Sequence, residues 1–201
     1  NDRPPFLVCF PFHSPSPYRS PLFPLLRAAA YVSCVASPAS CHELVLDNQH
    51  IRGTIPPSVG TLTRLHRLNL DSNDLTGTLP QQLGDLTDLS TLSMSNNKIS
   101  GTFPGFVAAK MSGLSKLSMS NNALSGTLHA ALGGLIHLYA LRLDNNRMSG
   151  TVPGELGKPE HLGLWPVYDY RGYGWAPYFT LHNNRFSGVG KEICALVNRA
   201  H

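Results

Sequence analysis

One polar position recurs along this chain at an almost constant interval. It falls at residues 49, 73, 97, 122 and 146, which gives steps of 24, 24, 25 and 24 residues. Leucines keep the same frame around it, as Leu65, Leu68, Leu70 and Leu75 do around Asn73. Self-similarity at a short, fixed period predicts a solenoid, because stacked units can share one apolar column that no unit could bury alone.

Each unit contains a short alternating segment, such as Leu68-Asn69-Leu70, which predicts a strand with one face inward. Strands of successive units would add as a parallel sheet about 4.8 Å apart. The recurring asparagines would form an inward ladder whose amides pair with backbone groups that are otherwise buried and unsatisfied. The ladder consists of Asn73, Asn97, Asn122, Asn146 and Asn184. Gln49 takes the same place in the first unit, and Gly77 and its equivalents fit turns with positive φ.

The repeat reads L-x-x-L-x-L-x-x-N-x-L and continues as in Leu75-Thr76-Gly77-Thr78-Leu79-Pro80. This pattern resembles the plant-type leucine-rich repeat of receptor-kinase ectodomains and polygalacturonase-inhibiting proteins. The resemblance runs from Cys41 to about Leu162 and resumes at Phe179. It implies an α/β solenoid: a right-handed superhelix of about six repeats of 24 residues, with a parallel β-sheet on its concave face.

Two segments fall outside the repeat and set the expected domain boundaries. Residues 1–40 are rich in proline and predict an N-terminal arm or cap, while residues 41–201 form the solenoid with a C-terminal cap at 189–201. The step from Asn146 to Asn184 is 38 residues, which is one unit plus a 14-residue insertion near 163–176. Both tryptophans lie in the insertion, which is a binding loop, a plug for the end of the leucine column, or an artefact of the sequence.

The resemblance also implies a disulfide between Cys34 and Cys41, because extracellular plant-type repeats carry a cysteine pair with similar spacing before the first unit. The pairing of Cys9 and Cys194 stays open. A disulfide indicates an oxidising compartment, so the expected location is extracellular or at the cell surface, with a cytoplasmic one still open.

Several function classes are disfavoured. The 16 Lys+Arg and 12 Asp+Glu residues form no basic stripe, which argues against nucleic acid. No uncharged apolar run reaches about 18 residues, so we expect no membrane span in this chain. Motifs for a nucleophile elbow, a phosphate loop or a zinc-protease helix are absent from the sequence. We therefore expect no enzyme, no cofactor and no metal.

The remaining candidate is a surface. The outward strand positions would line the concave face, and they are richest in anchor residue types near its C-terminal end. The expected partner-binding residues are Tyr139, Arg142, Asp144, Trp165, Tyr168, Tyr170, Tyr173, Trp175, Tyr178 and His182. The first hypothesis is a non-catalytic module that recognises another protein or a glycan. The alternatives are a self-assembling coat, wall or filament subunit, associating through the solenoid ends or the arm, and, more weakly, an inhibitor of a wall-degrading enzyme. Such positions are also polar in repeats of this kind that bind nothing.

Overall fold

The computed structural model describes residues 34, 36–157 and 179–189. Their main element is a six-stranded parallel sheet in which each strand comes from one repeat. Its order follows the chain: β1 (Glu43–Val45), β3 (Arg67–Asn69), β5 (Thr91–Ser93), β7 (Lys116–Ser118), β9 (Ala140–Arg142) and β11 (Phe179–Thr180). Glu43 pairs with Arg67 and Arg67 with Thr91, so neighbouring strands are in register one repeat apart. The predicted solenoid and its parallel sheet are confirmed.

A second set of short strands, here named the second ribbon, follows the first set in every unit. It consists of β2 (Arg52–Gly53), β4 (Asp74–Leu75), β6 (Ser100–Thr102), β8 (Ala123–Ser125), β10 (Ser149–Val152) and β12 (Arg185–Val189). These strands pair in parallel as β2–β4, β6–β8 and β10–β12. Backbone hydrogen bonds also join the pairs, as from Ser100 N to Gly77 O at 2.7 Å and from Ser149 N to Gly126 O at 2.8 Å. The ribbon is therefore continuous along the solenoid.

Short helices return the chain to the next strand. In the part of the chain that the structure describes, four of them are 3₁₀ turns and one is an α-helix, and a further 3₁₀ turn at Pro38–Ser40 precedes β1. The returns are Pro57–Thr61, Gln81–Asp85, α1 (Phe106–Lys110), Ala130–Gly134 and Gly154–Gly157. Between them and the two sheets lies one apolar core, in which residues such as Leu68, Leu92 and Leu117 are fully buried.

The asparagine ladder connects the two sheets inside this core. Asn73 accepts hydrogen bonds from Ile51 N at 2.9 Å and Gln49 N at 3.1 Å, and its amide donates to Leu46 O at 2.8 Å and Leu70 O at 3.0 Å. The other four ladder asparagines repeat the main contacts of this pattern with the unit that precedes each of them: Asn97, Asn122, Asn146 and Asn184. The side chain of Gln49 is exposed and, among the described residues, donates only to the carbonyls of Asp47 and Asn48, so it replaces the ladder residue in part.

Cys34 and Cys41 form the expected disulfide, which is confirmed with an S–S distance of 2.06 Å. Residues 1–33 of the predicted arm, the insertion at 163–176, most of the predicted C-terminal cap, and both Cys9 and Cys194 lie outside the described residues. The division at residue 40 stays a prediction. In the described ranges, no helix has the length and apolar character needed to cross a membrane.

Candidate functional site

The C-terminal end of the concave sheet gathers four of the predicted binding residues. Tyr139 precedes β9 and is 37% exposed, Arg142 ends that strand, and Asp144 follows it. His182 comes after the neighbouring strand β11 and places its Nε2 3.9 Å from Asp144 Oδ2. The parallel register therefore groups a cation, an anion and an imidazole on adjacent strands, with an aromatic side chain at the start of one of them.

Asp144 accepts hydrogen bonds from three neighbouring side chains. Ser120 Oγ donates to its Oδ1 at 2.6 Å, Thr180 Oγ1 donates to the same oxygen, and Asn145 Nδ2 donates to Oδ2 at 2.8 Å. Partial burial alone would raise the pKa of this carboxyl, but the hydrogen bonds from Ser120 and Thr180 outweigh it and hold the pKa below its usual value. Asp144 is therefore an ionised carboxylate at neutral pH.

Arg142 has an unusual feature. Its Nε is buried and, among the described residues, makes no hydrogen bond. Buried polar atoms almost always have a partner, so this Nε is an exception, while the half-buried side chain carries further guanidinium N–H donors at its end.

In the middle of the concave sheet, by contrast, the polar side chains are already hydrogen-bonded to one another. Asp71 accepts from Ser93 Oγ at 2.7 Å and from Ser95 N at 2.5 Å, and Ser95 Oγ lies 2.9 Å from Ser118 Oγ. All three of these serines are buried. Because their hydroxyls are already bonded to neighbouring units, the middle repeats offer a partner few free groups.

The other predicted binding residues cannot be placed by this geometry. Trp165, Tyr168, Tyr170, Tyr173, Trp175 and Tyr178 lie outside the described residues. In the part of the chain that is described, no group of three or more His, Cys, Asp or Glu side chains could hold a metal ion.

The second ribbon carries a feature that our sequence analysis missed. Every unit from the first to the fifth has a threonine directly after the positive-φ glycine, and all five are exposed: Thr54, Thr78, Thr102, Thr127 and Thr151. The signal was available as a Gly-Thr dipeptide in each repeat. Within the described residues, none of these threonine hydroxyls makes a hydrogen bond to the protein.

The position two residues before the threonine is Arg52 in the first unit, and Val189 stands in the threonine's place in the sixth. From the second unit to the sixth, that position forms a second column of hydroxyls. Each donates to the carbonyl of the glycine one unit before it, at 3.1–3.4 Å. The column consists of Thr76, Ser100, Ser125, Ser149 and Ser187. Charged side chains adjoin this column at its N-terminal end, where Asp74 Oδ1 meets Lys98 Nζ at 2.6 Å and Asp74 Oδ2 lies 3.6 Å from Arg52 Nε.

Comparisons with known proteins agree with this architecture. The family model described as Leucine Rich Repeat matches residues 64–86, 88–109 and 113–135. No curated protein sequence matches the chain. The BIR2 ectodomain of Arabidopsis thaliana is 29% identical over 74% of this chain and 68% of its own, with a TM-score of 0.59.

Two further solved structures bear on function. One comes from the BIR3–SERK2 complex of Arabidopsis thaliana and is 30% identical over 74% of this chain and 69% of its own, with a TM-score of 0.58. The other is a plant ice-binding protein that is 33% identical over 57% of this chain and 37% of its own, with a TM-score of 0.52. With its repeat, its two parallel sheets and these likenesses, the chain belongs to the plant-type leucine-rich-repeat family.

Proposed function

We propose that this chain is a non-catalytic recognition module that binds another protein through the C-terminal end of its concave sheet. The observation that carries the proposal is the group formed by Arg142, Asp144 and His182, with Tyr139 beside it. Tyrosine and arginine supply much of the anchor energy at protein interfaces. Arg142 is half-buried, and its guanidinium carries further N–H donors that can pair with a partner carboxylate or carbonyl.

A protein partner is favoured over a glycan by one of the relatives. The BIR3–SERK2 structure is a complex between two proteins, and its matched chain has the fold found here. The Cys34–Cys41 disulfide, together with the receptor ectodomains among the relatives, supports an extracellular or cell-surface location. The glycan, self-assembly and enzyme-inhibitor alternatives stay predictions of the sequence.

Affinity measurements on the whole chain test this function. A protein captured from extracellular fluid is purified and titrated against the wild type, Arg142→Ala, Tyr139→Ala and the control Arg67→Ala, which changes an exposed arginine at the opposite end of the same sheet. We expect Arg142→Ala to weaken binding about 10-fold or more, because buried anchor residues often cost above 1.4 kcal/mol. Equal affinities for all four proteins would overturn the site. Sedimentation of the chain alone as large assemblies would favour the structural subunit instead.

A second candidate function is binding to ice, and one specific observation favours it. The plant ice-binding protein shares this fold at 33% identity. The threonine column of the second ribbon is uniform over five units, and uniformity suits a ligand that is itself periodic. Retention of the labelled whole chain in a slowly growing ice crystal tests this function, and its exclusion from the ice would overturn it.

A further inference from the structure

The second ribbon presents an ordered array of hydroxyl groups, defined here as the threonine column at 54, 78, 102, 127 and 151 together with the neighbouring column at 76, 100, 125, 149 and 187. We propose that this hydroxyl array is the surface that binds ice. The inference rests on ice binding, the second candidate function above. It assigns ice binding to the second ribbon, whose threonines are exposed, and not to the concave sheet, whose central serines are buried.

The first argument is regularity. Adjacent parallel strands lie about 4.8 Å apart, and alternate residues of one strand lie about 6.6 Å apart. The register of β6 with β8 holds Ser100 opposite Ala123 and Thr102 opposite Ser125, and backbone hydrogen bonds join each neighbouring pair of strands from β2 to β10. The hydroxyls therefore form a two-dimensional grid. A grid of this kind suits a crystalline solid, whose water molecules also repeat in two dimensions.

The second argument is that the threonine side chains are held in place. A Cβ atom added to Gly101 would lie 2.7 Å from Thr78 Cγ2, and one added to Gly150 would lie 2.8 Å from Thr127 Cγ2. Each threonine methyl therefore lies close to the glycine of the following unit, and this contact restricts the rotation of the side chain. Because little side-chain freedom remains to be lost, binding to a rigid surface costs less conformational entropy.

The third argument concerns what the array lacks. From Thr76 to Thr151 both columns contain only threonine and serine, with no charged and no aromatic side chain among them. Serine and threonine are under-represented at the hot spots of protein interfaces, and sugar rings are usually stacked on aromatic side chains, so neither a protein nor a glycan fits this face well. The array is better suited to making many similar, weak contacts with an extended lattice such as the surface of ice.

The concave sheet serves as an internal comparison. It also carries serines at regular spacing, but Ser93, Ser95 and Ser118 are buried and bonded to their neighbours or to Asp71. The threonines of the second ribbon are exposed, and their hydroxyls are not used by the described part of the protein. Exposure together with periodicity thus distinguishes the hydroxyl array from the polar residues of the concave face.

The experiment measures thermal hysteresis and ice retention of the whole chain and four variants. Thr102→Tyr and Thr127→Tyr each place a large ring in the centre of the array, whereas Thr102→Val keeps the shape and the methyl contact and removes only the hydroxyl. The control is Thr87→Tyr, at an exposed threonine in a connecting segment. Thermal melting followed by circular dichroism checks that each variant is folded.

We expect the wild type and Thr87→Tyr to enter ice equally. Both tyrosine variants should lose more than half of the thermal hysteresis, and Thr102→Val should lose a smaller part. A wild type that is excluded from ice would overturn both the ice-binding function and this site. A wild type that binds ice, with folded array variants that bind equally well, would overturn the site alone. If the tyrosine variants do not fold, undiminished activity of Thr102→Val would count against the role of the hydroxyls.

Discussion

The concave sheet and the second ribbon are made by the same repeat, yet their polar side chains differ in burial and in hydrogen bonding. On the concave sheet, Ser93 and Ser118 are buried and their hydroxyls are bonded to side chains of neighbouring units. On the second ribbon, Thr78 and Thr102 pack by their methyl groups and leave their hydroxyls to solvent. A polar row on a solenoid is therefore most available to a ligand where its side chains are outside the core and keep hydrogen-bonding capacity that the fold does not use.

The two faces also differ in how their residues change along the stack. One concave column runs Arg67, Thr91, Lys116 and Ala140, so that each unit presents a different group. The threonine column keeps one residue type through five units. A varied column can match an irregular partner at particular positions, whereas a constant column can match only something periodic. This difference is the reason for assigning a protein partner to the first face and ice to the second.

The largest expected effect on stability comes from removing a ladder asparagine, which joins the concave sheet to the second ribbon. Asn97 accepts from Leu75 N in the second ribbon at 3.0 Å, and its amide donates to Leu70 O at 2.9 Å and Ser95 O at 3.2 Å near the ends of concave strands. Asn97→Ala leaves the buried Leu75 N–H without a partner and removes the amide's hydrogen bonds. We expect the free energy of unfolding to fall by about 3–4 kcal/mol, measured by urea denaturation.

Gln49→Ala is the matched control, because Gln49 holds the same repeat position but its side chain is exposed and, among the described residues, bonds only to Asp47 O and Asn48 O. Its loss should cost below about 1 kcal/mol. Equal losses for the two variants would show that the ladder does not couple the concave sheet to the second ribbon.

The concave sheet was easier to predict from the sequence than the second ribbon. The spacing of leucines determines which residues face the core, so the register of Glu43 with Arg67 follows from counting. The burial of Ser95 depends on Asp71 one unit away, and the methyl contact of Thr78 depends on Gly101 in the next unit. Both are contacts between units that no local pattern contains. The insertion at 163–176 has no counterpart in other units, so the repeat gives no frame for it.

An intermediate effect is expected where the second ribbon depends on glycine. Gly101 has φ +88°, and a Cβ there would lie 2.7 Å from Thr78 Cγ2. Gly101→Ala therefore adds left-handed strain and a clash, for which we expect a loss of about 2 kcal/mol in the free energy of unfolding. Adding Thr78→Ser removes the methyl and should recover the part due to the clash.

Gly105→Ala is the control for this change, since nothing lies within 4 Å of a Cβ at Gly105 and its φ is −65°. It should leave stability nearly unchanged or raise it slightly. A loss for Gly101→Ala that Thr78→Ser does not reduce would mean that the threonine methyls do not rest on the glycines, which would remove the argument for a fixed hydroxyl array.

The smallest effect concerns the charge at the C-terminal end of the concave sheet. Because the pKa of Asp144 is lowered in the folded protein, its ionised form stabilises the fold above the unfolded pKa of about 3.9, and this contribution is lost as the pH falls through the lower, folded pKa. Asp144→Asn should therefore be less stable than the wild type by up to about 1 kcal/mol at pH 7, with solvent screening limiting the difference.

That difference should close as the pH is lowered, which urea denaturation between pH 2 and 7 can follow. Asp88→Asn, at an exposed aspartate of a connecting segment, should run parallel to the wild type throughout. A difference in the free energy of unfolding between Asp144→Asn and the wild type that stayed constant with pH would mean that the negative charge of Asp144 does not contribute to stability. Asp144 would then resemble the buried, hydrogen-bonded serines of the middle repeats, and the contrast between the middle and the C-terminal end of the concave sheet would rest on Arg142 and Tyr139.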